Sequence, residues 1–174
     1  MLGTVLSVLA LQGTASAEQI EGIEVQGSRE FVLRTQQSLQ LLQSTPQFAV
    51  VRPYFGAIRQ GKRSGMDVYA DPPTYEVGFP TWSHSALWYA STIAHDAYHS
   101  KLYHDYKKGH PSGEPPGEVW TGKEAERVCM NFQREVLVEL KAGNELILYL
   151  DQLIKNPTYQ GDPQSEEDYR RRSW

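Results

Sequence analysis

The chain has 174 residues, of which 40% are hydrophobic, 11% aromatic and 22% charged, with a formal net charge of -4. That is ordinary globular material with enough apolar content for one sizeable core, and it excludes a disordered chain or a basic nucleic-acid-binding domain. The only basic run, Arg170-Arg171-Arg172, sits at the end and reads as a solvated tail. A single cysteine, Cys129, rules out an intramolecular disulfide.

Met1 to Leu11 is apolar, and Ala15-Ser16-Ala17 matches the small-x-small pattern that signal peptidase accepts. Residues 1–17 therefore read as a secretory leader cleaved after Ala17, although no Lys or Arg precedes the apolar run. The run is too short to span a bilayer, and no later segment is long and apolar enough to do so. The expected compartment is secreted or periplasmic. Residues 18–174 form one domain, with a loosely ordered tail over 156–174.

Glu18 to Ser28 reads as a polar lead-in. Arg29 to Gln43 has helical spacing, with Phe31, Val32, Leu39 and Leu42 on one face. Ser44 and Pro46 open a second helix, predicted to reach about Ile58 with a bend at Pro53. Gly61 and Gly65 mark a loop. Met66–Tyr69 and Tyr75–Phe79 read as short strands joined by Asp71-Pro72-Pro73, forming a hairpin.

Thr81 or Ser83 is placed to cap a long helix reaching about Tyr106. Its buried stripe would hold Leu87, Trp88, Ser91, Thr92, His95, His99, Leu102 and Tyr106. Gly109 to Gly122 is rich in Pro and Gly and reads as loop. Lys123 to Ala142 is a further helix, with Ala125, Val128, Cys129, Phe132, Val136 and Leu140 inward, ending or kinking at Gly143. Cys129 falls on that face as a small core residue. A last helix runs from about Asn144 to Lys155. The fold class is α+β, mainly α, with a short β-hairpin or sheet.

The chemistry concentrates in Ile93-Ala94-His95-Asp96-Ala97-Tyr98-His99. Residues four apart on a helix share a face, so His95 and His99 can grip one cation. An acid directly follows the first histidine. The pattern is one methylene short of H-E-x-x-H, in which the Glu is the general base. Catalytic zinc usually has three protein ligands and one open position. The third can come from the start of the next helix, where a helical wheel places Glu124 and Glu126 on opposite shoulders of the apolar face. Small Cys129 and Gln133 lie one and two turns after Glu126, leaving room for a facing helix. That favours Glu126 and keeps Glu124 as an alternative.

Over Met66 to Gln133 the chain resembles the gluzincin group of zinc metallopeptidases, as an uncharacterised secreted branch. The resemblance implies a zincin-like fold in which the long metal-binding helix packs on further helices. It implies zinc held by His95, His99 and Glu126 (or Glu124), with Asp96 as general base. It also implies a peptide or peptide-like substrate whose main chain lies along an edge strand, with Val68 and Val77 in suitable strands. The departure from the pattern is Asp96, which reaches about 1.5 Å less far than Glu. It either takes the proton from a water acidified by the metal or orients a ligand from behind.

The other histidines are weaker candidates. His84 is read on the same helix about 16 Å from the pair, too far for one ion. His104 points off the shared face, and His110 lies in the loop over the site. Trp82, Trp88 and Tyr89 read as core. Tyr159 and Tyr169 could approach from the tail. Two other functions compete with the peptidase. One is a metal-binding secreted module without hydrolysis. The other is a metal-dependent phosphohydrolase, a family whose adjacent His-Asp pair is similar to His95-Asp96 but which needs another upstream His on a separate helix and an Asp far downstream.

Overall fold

The computed structural model describes residues 16–156. Residues 1–15, most of the expected leader over 1–17, and the tail beyond Asn156, with Tyr159, Tyr169 and the arginine run, lie outside the described residues. The fold is mainly helical with one small mixed sheet, as the patterning predicts. In chain order the elements are β1 (Ser16–Ile20), β2 (Ile23–Gly27), α1 (Arg29–Gln43), α2 (Pro46–Val51) and a 3-10 turn at Arg52–Tyr54. β3 (Ala57–Gln60), β4 (Gly65–Asp67), β5 (Thr74–Val77), α3 (Phe79–His84) and α4 (Ala86–Gly109) follow. The chain closes with α5 (Gly117–Trp120), α6 (Gly122–Glu139) and α7 (Asn144–Lys155).

The sheet has the order β1-β2-β3-β5-β4. β2, β3 and β5 run parallel, and the two edges, β1 and β4, are antiparallel to their neighbours. The expected hairpin is present as β4 and β5, with Met66 opposite Tyr75. β5 is an inner strand, however, and Val77 is fully buried, so β4 alone offers a free edge on this side.

Two strands replace the expected polar lead-in. Ile20, Ile23 and Val25 bracket a tight turn at Glu21-Gly22, both with positive φ of 52° and 73°. That is the backbone of a two-residue hairpin turn, and Gly at its second position takes it without strain. The expected helix to Ile58 stops at Val51. Pro53 has no amide hydrogen and tightens the chain into the 3-10 turn, after which Ala57 and Ile58 enter the sheet. The long helix also begins later than expected. Ser85, not Thr81 or Ser83, caps it by accepting from the Trp88 amide, and the preceding turn and a half is the separate α3. One turn of helix, α5, interrupts the Pro/Gly loop. α6 ends at Glu139, three residues before the expected end, where Lys141 turns left-handed with φ 53°.

α4 is the centre of the molecule. Every residue from Trp88 to Ala94 is buried. One side packs Tyr89, Ala90, Ile93, Ala94 and Ala97 against α1 and the inner strands, with Phe31, Leu39, Val25, Ile58 and Val77. The other side meets α6 and α7 through Trp88, Met130, Leu137 and Leu150. A helix covered on two sides shows weak amphipathic periodicity, which is why the expected stripe captured only one of them. Trp82, Trp88 and Tyr89 are core residues, as read.

At the far end of α4, Asp105 accepts from Lys101, Lys108 and Tyr54, tying the helix to the 3-10 turn. Partial burial works against the charge, but these donors hold the carboxyl well below the usual range. A carboxylate depressed in the folded state stabilises above its unfolded pKa of about 4, and that stability is lost as pH falls through the folded value. Asp105→Asn is therefore expected to lower stability by about 0.5–1 kcal/mol at pH 7. The difference shrinks in urea titrations repeated below about pH 4.

Candidate metal centre

His95 and His99 project from one face of α4, one turn apart, toward the first turns of α6. Two features aim α6 at them. Gly122 takes φ +79°, a conformation open to glycine, and turns the chain from α5 into α6. Gln133 and Ser91 then allow close packing of the two helices, joined by a hydrogen bond from Gln133 Nε2 to Ser91 Oγ of 3.2 Å. This brings Glu126 between the histidines.

The three side chains converge. His95 Nε2 lies 3.1 Å from His99 Nε2, 3.2 Å from one Glu126 oxygen, and His99 Nε2 lies 3.3 Å from the other. Donor atoms about 2.0–2.1 Å from a tetrahedral zinc lie about 3.3 Å from one another. The separations thus match a shared cation, and the two-imidazole, one-carboxylate donor set suits one. His95, His99 and Glu126 can hold a metal ion.

The tautomer of His99 fits that role. Its Nδ1 lies 2.6 Å from the Trp120 carbonyl oxygen, which only accepts. Nδ1 therefore carries a proton, and in the neutral ring Nε2 is left bare toward the cluster. His95 Nδ1 is buried and has no such partner. The Cys129 thiol faces His99 from one turn after Glu126, and burial pushes its pKa up. It is fully buried, as a core residue should be, and lies beside His99.

The charges interlock. For Glu126, burial disfavours ionisation, but hydrogen bonds from His95 and His99 outweigh it and hold the carboxyl far below the usual range. For His99, burial opposes the charge, while Cys129 and the Glu126 carboxylate outweigh it and hold the imidazole above its ordinary pKa. A proton therefore competes with a metal for His99. Metal affinity, with zinc as the probe, is expected to rise with pH until that raised pKa is passed, and metal uptake below it to release protons. Calorimetry in buffers of different ionisation enthalpy reads both.

Asp96 is not in the cluster of three. It is part-buried beside it, close enough to feel His95, His99 and Glu126, and burial pushes its carboxyl above the usual range. Glu124 is resolved by the geometry. Its side chain is 70% exposed and ion-paired with Arg127 on the same helix, away from the histidines. His84 ends α3, exposed and beside Trp88, so it lies on a separate helix from the pair yet outside the cluster. His104 packs against the Tyr103 ring. His110 stacks on Tyr106 at the exposed end of α4, not over the site.

An aromatic group escaped the sequence reading. Tyr69, which follows β4, meets Tyr103 and Trp120 edge to face at 5.5 and 6.2 Å. Its ring is 70% exposed. Trp120 is the residue whose carbonyl oxygen orients His99, so this surface adjoins the candidate metal ligands. Only its position after an edge strand would have flagged Tyr69. Among the described residues no helix is long and apolar enough to cross a membrane. Comparison with protein-family models, curated proteins and solved structures finds no match for this chain.

Proposed function

We propose that the chain is a zinc-dependent, zincin-type hydrolase of the gluzincin kind, acting on a peptide or peptide-like amide outside the cytoplasm. The observation that carries this reading is the convergence of His95 and His99 with Glu126, beside an acid in the position next to the first ligand. The leader-like sequence over residues 1–17 supports export.

Bound there, zinc supplies Lewis acidity toward water and a carbonyl oxygen. The chain's own groups do the rest. The Trp120 carbonyl oxygen holds His99 in the ligating tautomer. Asp96, its proton affinity raised by burial, takes the proton of the attacking water and returns it to the leaving nitrogen. The free edge of β4 pairs with the extended substrate, and Tyr69 at its end faces a substrate side chain. Tyr69→Ala is expected to raise KM for peptides with an aromatic or apolar residue next to the scissile bond about tenfold. Stability should stay unchanged, because the ring is mostly exposed.

The phosphohydrolase reading loses support. It needs an upstream histidine and a distant Asp, and among the described residues neither joins the cluster. Zinc-loaded protein is expected to cleave quenched fluorogenic peptides, to lose that activity to a chelator and to regain it with zinc. Phosphodiester cleavage without peptide cleavage would overturn the proposal. Zinc binding with no hydrolysis of any peptide pool would leave the non-catalytic module in its place.

A further inference from the structure

Beneath α4, on the inner strand β5, stands Tyr75. It is 1% exposed, and its hydroxyl has no hydrogen-bond partner within bonding geometry. A buried, unpaired hydroxyl costs about 1–3 kcal/mol, so its neighbours matter. Two polar side chains face it, Thr92 and Asp96, one helical turn apart on α4. Thr92 already donates its hydroxyl hydrogen to the Tyr89 carbonyl oxygen at 2.9 Å. That engages the Thr92 hydroxyl, whereas the Asp96 carboxyl has an acceptor oxygen in either protonation state.

We infer that Tyr75 is a positioning residue for Asp96, its buried hydroxyl donating to one carboxylate oxygen and fixing where the other points. This rests on the hydrolase reading and deepens it. A glutamate would reach the reacting water through its own length. The shorter Asp96 instead takes its direction from the sheet. Tyr75 is held for the task by the ladder on both sides, opposite Ile58 on β3 and Met66 on β4. It is not one of the three converging donors and acts through Asp96.

The test is a double-mutant cycle in two readouts. The first is urea unfolding of the metal-free protein, comparing the parent chain, Tyr75→Phe, Asp96→Ala and the double variant. Tyr75→Phe keeps the ring and its packing, so folding is preserved. The expected coupling between the two sites is about tenfold in the unfolding constant. Additive effects would overturn the inference whether or not the chain proves to be a hydrolase. The second readout is peptide hydrolysis by the zinc-loaded proteins. Tyr75→Phe is expected to lower kcat about tenfold with KM and zinc content unchanged, and to have no effect once Asp96 is Ala. A loss of zinc from Tyr75→Phe, or an equal loss of activity in both backgrounds, would assign the tyrosine to the fold alone. Absence of hydrolysis in every variant, with the unfolding coupling intact, would remove the hydrolase reading and leave the Tyr75–Asp96 contact standing.

Discussion

His95→Ala is expected to lower zinc affinity by more than about a hundredfold while leaving the fold intact. His95 supplies one of three donors, and the two that remain cannot close the site. Its side chain is 14% exposed, at the margin of the α4–α6 contact, so removing it opens little of the core. The effect is readable without any substrate. A metal that binds only the folded chain stabilises it by about 2.7 kcal/mol at a hundred times Kd. The parent protein should therefore melt higher in excess zinc than in chelator, and His95→Ala should melt alike in both. Glu126→Gln should behave similarly, and Glu124→Gln like the parent, because Glu124 pairs with Arg127 instead.

The second large effect separates ligand from base. Asp96→Asn is expected to keep zinc within a few-fold of the parent affinity and to lower kcat for peptide hydrolysis by about 100- to 10,000-fold, the usual worth of a general base. Asp96 stands outside the three converging donors, so its loss spares binding. Asp96→Glu discriminates further. Were the chain a degenerate peptidase, restoring the longer acid would raise the rate. With Tyr75 set for the shorter side chain, the added methylene pushes the carboxylate past its donor, and the rate is expected to fall.

The helical part of this fold was largely legible. α1 and α7 have the bounds that periodicity marks, because each buries one face. The ligand pair was legible for the same reason, since spacing alone puts His95 and His99 on one face. The choice between Glu126 and Glu124 was legible in part, since Cys129 and Gln133 after Glu126 favoured it, but it depends on how α6 is rotated against α4. The Gly122 turn and the partner that Gln133 finds in Ser91 set that rotation, and a helical wheel gives neither. β1, β2 and β3 were missed because their stability comes from pairing with distant segments, as where Glu24 lies opposite Ala57. Tyr75 was equally hidden. Its strand was anticipated, but its nearness to Asp96 follows from β5 lying inside the sheet beneath α4.

The most direct measurement is an anomalous difference map at the zinc edge from crystals of the zinc-loaded chain. One peak per chain is predicted, within bonding distance of both Nε2 atoms and a Glu126 oxygen. A peak elsewhere, or none at saturating zinc with these three side chains ordered, would contradict the shared-cation site.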